Sequence, residues 1–290
     1  MAAAVLSGCG APSTLHLPTT RSVGPLPPAT DTVTVSVHPD GRLVHDGKTI
    51  GLDALGSLLS SEASTRTKTH IFGLYPASDL NLLLEVDRDL PVGALLPLQL
   101  LLERPDIRVH RVFFAARAES QGADGDLGAI AWFQPPDIGG SDALALSQED
   151  IVTMEAGKAA PHPADLYHQL HARQSSGHQQ VSALLVNPPA NAPFGLVLQV
   201  AEAGFQAGTR FVYLGGDASA SRYARMAGGS KGLDDVVAAI PPLAGELEIR
   251  LAGKAIPHVD ALVPTVPSVR DGFVGLHEIP PVVGVLESPK

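Results

Sequence analysis

Four side chains between residues 162 and 171 have types that could hold a cation. His168 and His171 lie three apart on an expected helix, with His162 and Asp165 close by. Imidazoles at that spacing can share a metal ion. No cysteine or second nearby carboxylate completes the set, so the group reads as a solvated helix face and no metal is expected. Nucleophilic catalysis is no better served. Ser141, Ser147 and Ser230 stand in plain turn contexts, and no Gly-x-Ser-x-Gly elbow marks any of them. Gly215-Gly216-Asp217 and Gly228-Gly229-Ser230-Lys231 resemble phosphate loops only loosely. Neither has the spacing that lets successive amides cradle a phosphate, so no cofactor is expected. Asp87 and Asp89 straddle Arg88 in a polar loop. That setting suits an exposed contact point better than the raised pKa a general acid requires.

Those residues sit in a pattern that occurs twice. Leu82 to Phe114 and Ala183 to Leu214 each contain a short apolar strand, a polar loop closing on Pro-x-Gly, an apolar helix and a β-branched or aromatic strand. Pro91-Val92-Gly93 corresponds to Pro193-Phe194-Gly195 at an offset of 195 − 93 = 102, and Val112 to Val212 at an offset of 100. Self-similarity over so long a stretch implies a duplicated folding unit.

Ahead of the first copy, Thr32 to Val37 alternates apolar and polar residues, as a half-buried strand does. Turns at Pro39-Asp40-Gly41 and Asp46-Gly47 separate it from short strands at 42–45 and 48–50. Leu52, Leu55, Leu58 and Leu59 have helical spacing, with a polar break from Ser60 to Lys68. Strands are expected at 70–75 and 82–86, one of which could be only a loop, then a helix at 95–102 and a strand at 109–114. In the second copy, strands are expected at 143–146 and 151–154, with Ala156-Gly157-Lys158 as a turn. A helix carrying Asp165, Leu166 and Leu170 follows, then a strand at 181–186, a helix at 197–205 stopped by Ala207-Gly208, and a strand at 211–214. Ile130 to Phe133, with the single Trp, reads as an added edge strand. Glu246 to Leu251 alternates like a strand, and the remainder to Lys290 reads as a Pro-punctuated tail.

Composition limits the partners. The 290 residues are 44% hydrophobic and 17% charged, with a formal net charge of −10. Average domains are roughly 25% charged. This balance suits folded material and offers no basic stripe for nucleic acid. The most apolar run, Leu90 to Leu102, is shorter than the roughly 18 residues a spanning helix needs.

The order of elements, with an acidic residue before Pro-x-Gly and an aliphatic helix next, resembles the periplasmic domain of the ExbD/TolR biopolymer-transport family. The likeness rests on Val33, Val35, Val37, Asp40-Gly41, Leu55, Leu59, Val86-Asp87, Pro91, Gly93, Leu95-Leu96 and Val109 to Phe113. In the second copy it rests on Leu166, Leu170, Pro193-Phe194-Gly195, Val197-Leu198, Ala207-Gly208 and Phe211 to Leu214. The resemblance implies an α/β (α+β) fold of two tandem modules, each a small mixed sheet with two helices. It also implies a non-catalytic role, binding peptidoglycan or a protein of an energy-transducing transport complex, with Asp87, Arg88 and Asp89 as contact residues. Members of that family carry a membrane helix with a proton-path aspartate, which is not found in this sequence. In the second copy Asn187 stands where Asp87 stood, so the two loops cannot bind identically.

In place of that helix, Leu6-Ser7-Gly8-Cys9 resembles the lipobox of bacterial lipoproteins, which implies lipidation at Cys9. A Ser/Thr/Pro-rich stretch, Ala11 to Thr32, follows as a tether would. The expected divisions are therefore 1–31 lipobox and tether, 32–116 first module, 117–141 linker, 142–216 second module and 217–290 C-terminal extension. The expected place is the periplasmic side of the envelope, held by the lipid in the outer membrane. Two copies in one chain could pair as subunits of a dimer do. A small-ligand receptor or enzyme on a similar scaffold is the alternative, and a deep polar pocket would distinguish it.

Overall fold

The computed structural model describes residues 14–66, 68–71, 75–102, 104, 106–107, 109–119, 125–133, 151–157, 163–175, 183–215, 232–251, 254–255 and 282–289. Within them the chain is a mixed α/β fold built on one large mixed sheet.

The first half starts with β1 (Thr19–Thr20), followed by β2 (Thr32–Val37), whose valines all point into the core. β3 (Leu43–His45) and β4 (Lys48–Ile50) return antiparallel, through a two-residue turn at Asp46-Gly47 in which both residues have positive φ (49° and 72°). That turn type matches the twist of the strands it joins. Helix α1 (Leu52–Ser64) buries Leu55, Leu59 and Ala63. The helix continues four residues past the expected break at Ser60, because Ala63 extends the apolar stripe by a further turn. β5 (Lys68–Ile71) and β6 (Tyr75–Val86) are both strands, paired antiparallel. A 3-10 turn (Val92–Leu95), helix α2 (Leu96–Leu102), β7 (Val109–Ala118) and β8 (Leu127–Phe133) complete this half.

The second half runs β9 (Ile151–Gly157), α3 (Pro163–Ser175), β10 (Ala183–Asn187), α4 (Phe194–Gln206) and β11 (Phe211–Gly215). Gly208, at φ 96°, stops α4 as its position suggested. Then come α5 (Leu233–Ala239), β12 (Glu246–Leu251), β13 (Lys254–Ala255) and β14 (Val282–Glu287).

The strand order is β13-β12-β9-β10-β11-β14-β8-β7-β6-β2-β3-β4. Outward from the central β8–β14 pair, each half makes the same series of pairings. β8-β7, β7-β6, β6-β2 and β2-β3 are antiparallel, parallel, parallel and antiparallel. β14-β11, β11-β10, β10-β9 and β9-β12 follow suit. The halves share one sheet, rather than carrying a small sheet each.

Several expectations are corrected here. Ile130–Phe133 belongs to an interior strand, not an edge, since β8 pairs with β7 on one side and β14 on the other. Residues 282–287 are not part of a tail resting on the body or wandering from it: as β14 they occupy the centre of the sheet, with Leu286 buried between Val212 and Trp132. Ala156 and Gly157 are paired strand residues rather than a turn. Most of the described part of the expected linker is the end of β7 and all of β8. Residues 14–31 do not behave as a free tether: β1 pairs with β7, and Gly24 bridges to Ala129 of β8. Strand 143–146, Lys158 and Cys9 lie outside the described residues.

One hydrophobic cluster runs through both halves. Phe114 of β7 stacks on Trp132 at 4.9 Å and meets Phe194, at the start of α4, edge-on at 4.9 Å. Such geometries are favourable beyond the area they bury.

Candidate functional site

The loop after β6 turns toward its counterpart after β10, and the two make a small antiparallel contact at Pro91 and Pro193. The main-chain N–H groups of Val92 and Gly93 donate to the carbonyls of Ala192 (2.8 Å) and Ala190 (2.9 Å). Those of Phe194 and Gly195 donate to the carbonyls of Leu90 and Arg88, both at 2.8 Å. Adding 102 to each residue number of the first pair of bonds, and subtracting it from their acceptors, generates the second pair. Both prolines hold an extended ψ (126° and 132°) that turns the chain into the following helix.

The glycines serve close approach rather than an unusual φ. A Cβ on Gly93 would lie 2.8 Å from Ala190 Cβ, and one on Gly195 would lie 2.9 Å from Arg88 Cβ. No atom pair of that kind tolerates such a distance, so only glycine lets the loops meet.

Asp87 anchors the first loop. Its side chain is buried, at 1% exposure, and its two oxygens accept main-chain N–H groups from His16 (2.8 Å) and Asp89 (2.9 Å). Its own N–H donates to Val37 at 2.8 Å, and the N–H of Arg88 donates to the carbonyl of His16 at 2.7 Å. The expected role of Asp87 as an exposed contact point is corrected by this burial: its carboxylate is consumed inside the molecule. Arg88 and Asp89 remain accessible, with side chains 56% and 65% exposed and 3.7 Å between Nε and Oδ2. At the corresponding places in the other loop stand Ala190, which is buried, and Asn191. The junction is therefore near-symmetric in its main chain and asymmetric in its charge.

The other candidate residues do not converge. Asp165 is buried in the first turn of α3 with neither carboxylate oxygen hydrogen-bonded, while His168 and His171 are exposed beside Tyr167. Among the described residues no three His, Cys, Asp or Glu side chains form a metal-holding group. His162, the three serines, Gly216-Asp217 and Gly228 to Lys231 lie outside the described residues. No described helix is long and apolar enough to cross a membrane.

Glu202 was not singled out by motif reasoning. It is only 7% exposed on α4 and accepts the N–H of Ser22 at 2.9 Å, with Gln206 Nε2 at 3.4 Å. Burial raises its pKa, opposed by the hydrogen bonds from Ser22 and Arg21 and reinforced by the neighbouring Glu119. The available signal was a lone acid among the apolar residues of FGLVLQVAEAGFQ.

Comparison with family models, curated proteins and solved structures finds no match to this chain.

Proposed function

We propose that the chain is a non-catalytic envelope protein in which two ExbD/TolR-like modules are fused into an internal pseudo-dimer. In this reading a lipid on Cys9 holds it to the periplasmic side of the envelope. The surface at the junction of the modules then binds peptidoglycan or a protein of an energy-transducing complex.

The observation that carries the reading is the reciprocal exchange of main-chain bonds between the two Pro-x-Gly loops, at one constant offset. Two copies of a subunit meeting across a two-fold axis make that kind of self-complementary contact. The repeated order of parallel and antiparallel strands on either side of β8 and β14 supports the same reading. Within the loop, Asp87 acts as a positioning residue that fixes the main chain on which Arg88 and Asp89 project outward. Those two side chains present both signs of charge, suited to a zwitterionic polymer such as the wall peptide or to a polar protein surface.

The test is co-sedimentation of the full chain with purified cell-wall sacculi, alongside the Arg88→Ala/Asp89→Ala double variant. The wild type is expected in the pellet and the variant largely in the supernatant. A wild-type chain that stays soluble removes wall binding, and equal retention of both removes the junction as the contact. Radiolabelled palmitate incorporated into the wild type but not into Cys9→Ser tests the anchor.

A further inference from the structure

Residues 14–24 tie the two halves together through carboxylates that grip their main chain. Asp87, at the end of β6, takes the N–H of His16. Glu202, on α4 of the other half, takes the N–H of Ser22. Between them β1 lies parallel to β7, with Arg117 N–H donating to the Pro18 carbonyl (2.9 Å) and Glu119 N–H to the Thr20 carbonyl (2.6 Å). Beyond them Gly24 and Ala129 exchange two main-chain bonds, both 2.9 Å. Leu17 covers a small cluster of Leu83, Ala115 and Ala129, and Val23 packs where Gly128 leaves no side chain. Two residues of strand and a few apolar contacts make a shallow attachment compared with the core strands.

We propose that residues 14–24 form a strap that closes the junction between the halves and docks more tightly in acid, with Glu202 setting the response. The strap covers Glu202. Among the described residues, the charged groups facing it are Arg21 on the strap and Glu119 just past β7, with Gln206 as a neutral neighbour on α4. Arg21 is shared, its Nε 3.7 Å from Glu119 Oε2 and its Nη1 3.3 Å from Gln206 Oε1. The half-exposed Arg21–Glu119 pair is weakened by solvent, so burial dominates and raises the Glu202 pKa. When the strap lifts, water returns to the carboxylate and the pKa falls toward its ordinary value. The sign follows by linkage: a carboxylate whose pKa is higher in the docked state favours docking when protonated. That contribution is complete below the ordinary glutamate range and is lost as pH rises through the raised value.

Hydrogen exchange of the full chain, normalised to intrinsic rates and followed from about pH 4.5 to about pH 8, tests this directly. Amides at 19–24, 117–119 and 128–129 are expected to be protected at least about threefold more at the acid end, while Leu82–Leu84 are unchanged. Glu202→Gln is expected to show the acid-like protection at every pH. Glu119→Gln, which removes a like charge without touching the Ser22 bond, is expected to move the transition to lower pH. Equal wild-type protection throughout overturns the proposal. So does a parallel change at Leu82–Leu84, which would mark global unfolding instead. If Glu202→Gln fails to fold, Glu119→Gln decides, and an unmoved transition overturns the proposal.

Discussion

The N–H of Gly195 meets the carbonyl of Arg88 at 2.8 Å, and the same glycine leaves space for no side chain against Arg88 Cβ. Gly93 stands in the same relation to Ala190. A methyl group at either position must push the loops apart, and at Gly195 the obstacle includes main-chain atoms. Gly195→Ala is expected to destabilise the protein by about 1–3 kcal/mol, the usual range for overpacking. Gly93→Ala should cost a comparable amount, since Ala190 Cβ and O both lie within about van der Waals contact of the new methyl. Urea unfolding of each variant measures this. Gly47→Ala is the contrasting control: open space surrounds it, so only its φ of 72° resists the change.

Asp87 should matter to stability rather than to contact. Asp87→Ala leaves two partly buried main-chain donors, from His16 and Asp89, without their acceptor. Losing hydrogen bonds to a charged acceptor costs about 1.5–3 kcal/mol. Asp87→Asn keeps an acceptor for one of them and should cost clearly less. Chemical denaturation ranks the two variants, and a surface role would instead leave both as stable as the wild type.

The order of strands and helices was legible because each element carries its own period: Val33, Val35 and Val37 for a strand, Leu55 and Leu59 for a helix. The Pro-x-Gly repeat pointed to the right loops, but not to their mutual contact, since main-chain bonds between distant segments leave no side-chain signature. The same reason hid the interior position of β8 and β14. An edge strand and a central strand of six or seven residues can share one alternation, and only their partners distinguish them. Asp87 was read as exposed because its neighbours Arg88 and Asp89 are charged; nothing local indicates that His16, 71 residues away, covers it. Composition likewise misread residues 14–31, whose attachment depends on backbone pairing and on Glu202.

Phe114 and Phe194 bring the two halves together through their side chains. Phe194→Ala removes a fully buried ring from contact with Phe114 and should cost about 3–5 kcal/mol. Phe194→Leu, nearer in volume, should cost less. A double-mutant cycle with Phe114→Leu is expected to give a coupling of about 0.5–1.5 kcal/mol, the range for an edge-to-face pair. Zero coupling would mean the rings are neighbours without interaction.

His110 in β7 is half-buried, and burial lowers its pKa. The folded state therefore favours the neutral imidazole. Its contribution to stability is present above the ordinary histidine pKa and is lost as pH falls through the lowered value. His110→Gln should flatten the pH dependence of stability over that window. Thermal unfolding of both proteins through the mildly acidic range measures the difference.

The sharpest test of the fold concerns β14. It fills the gap between β11 and β8, and Leu286 is fully buried between their side chains. Ending the chain at residue 281 would leave the facing edges of β11 and β8 unpaired in the middle of the sheet and uncover Trp132 and Val212. Exposed apolar strand edges can pair with other chains, so the truncated protein should aggregate or lose cooperative unfolding. Leu286→Asp makes the same point without shortening the chain, because it places an unpaired carboxylate in an apolar interior, a cost of several kcal/mol. If the C-terminal segment were only a tail resting on the body, both variants would remain monomeric and unfold at the wild-type midpoint. Size-exclusion chromatography followed by thermal unfolding separates these outcomes.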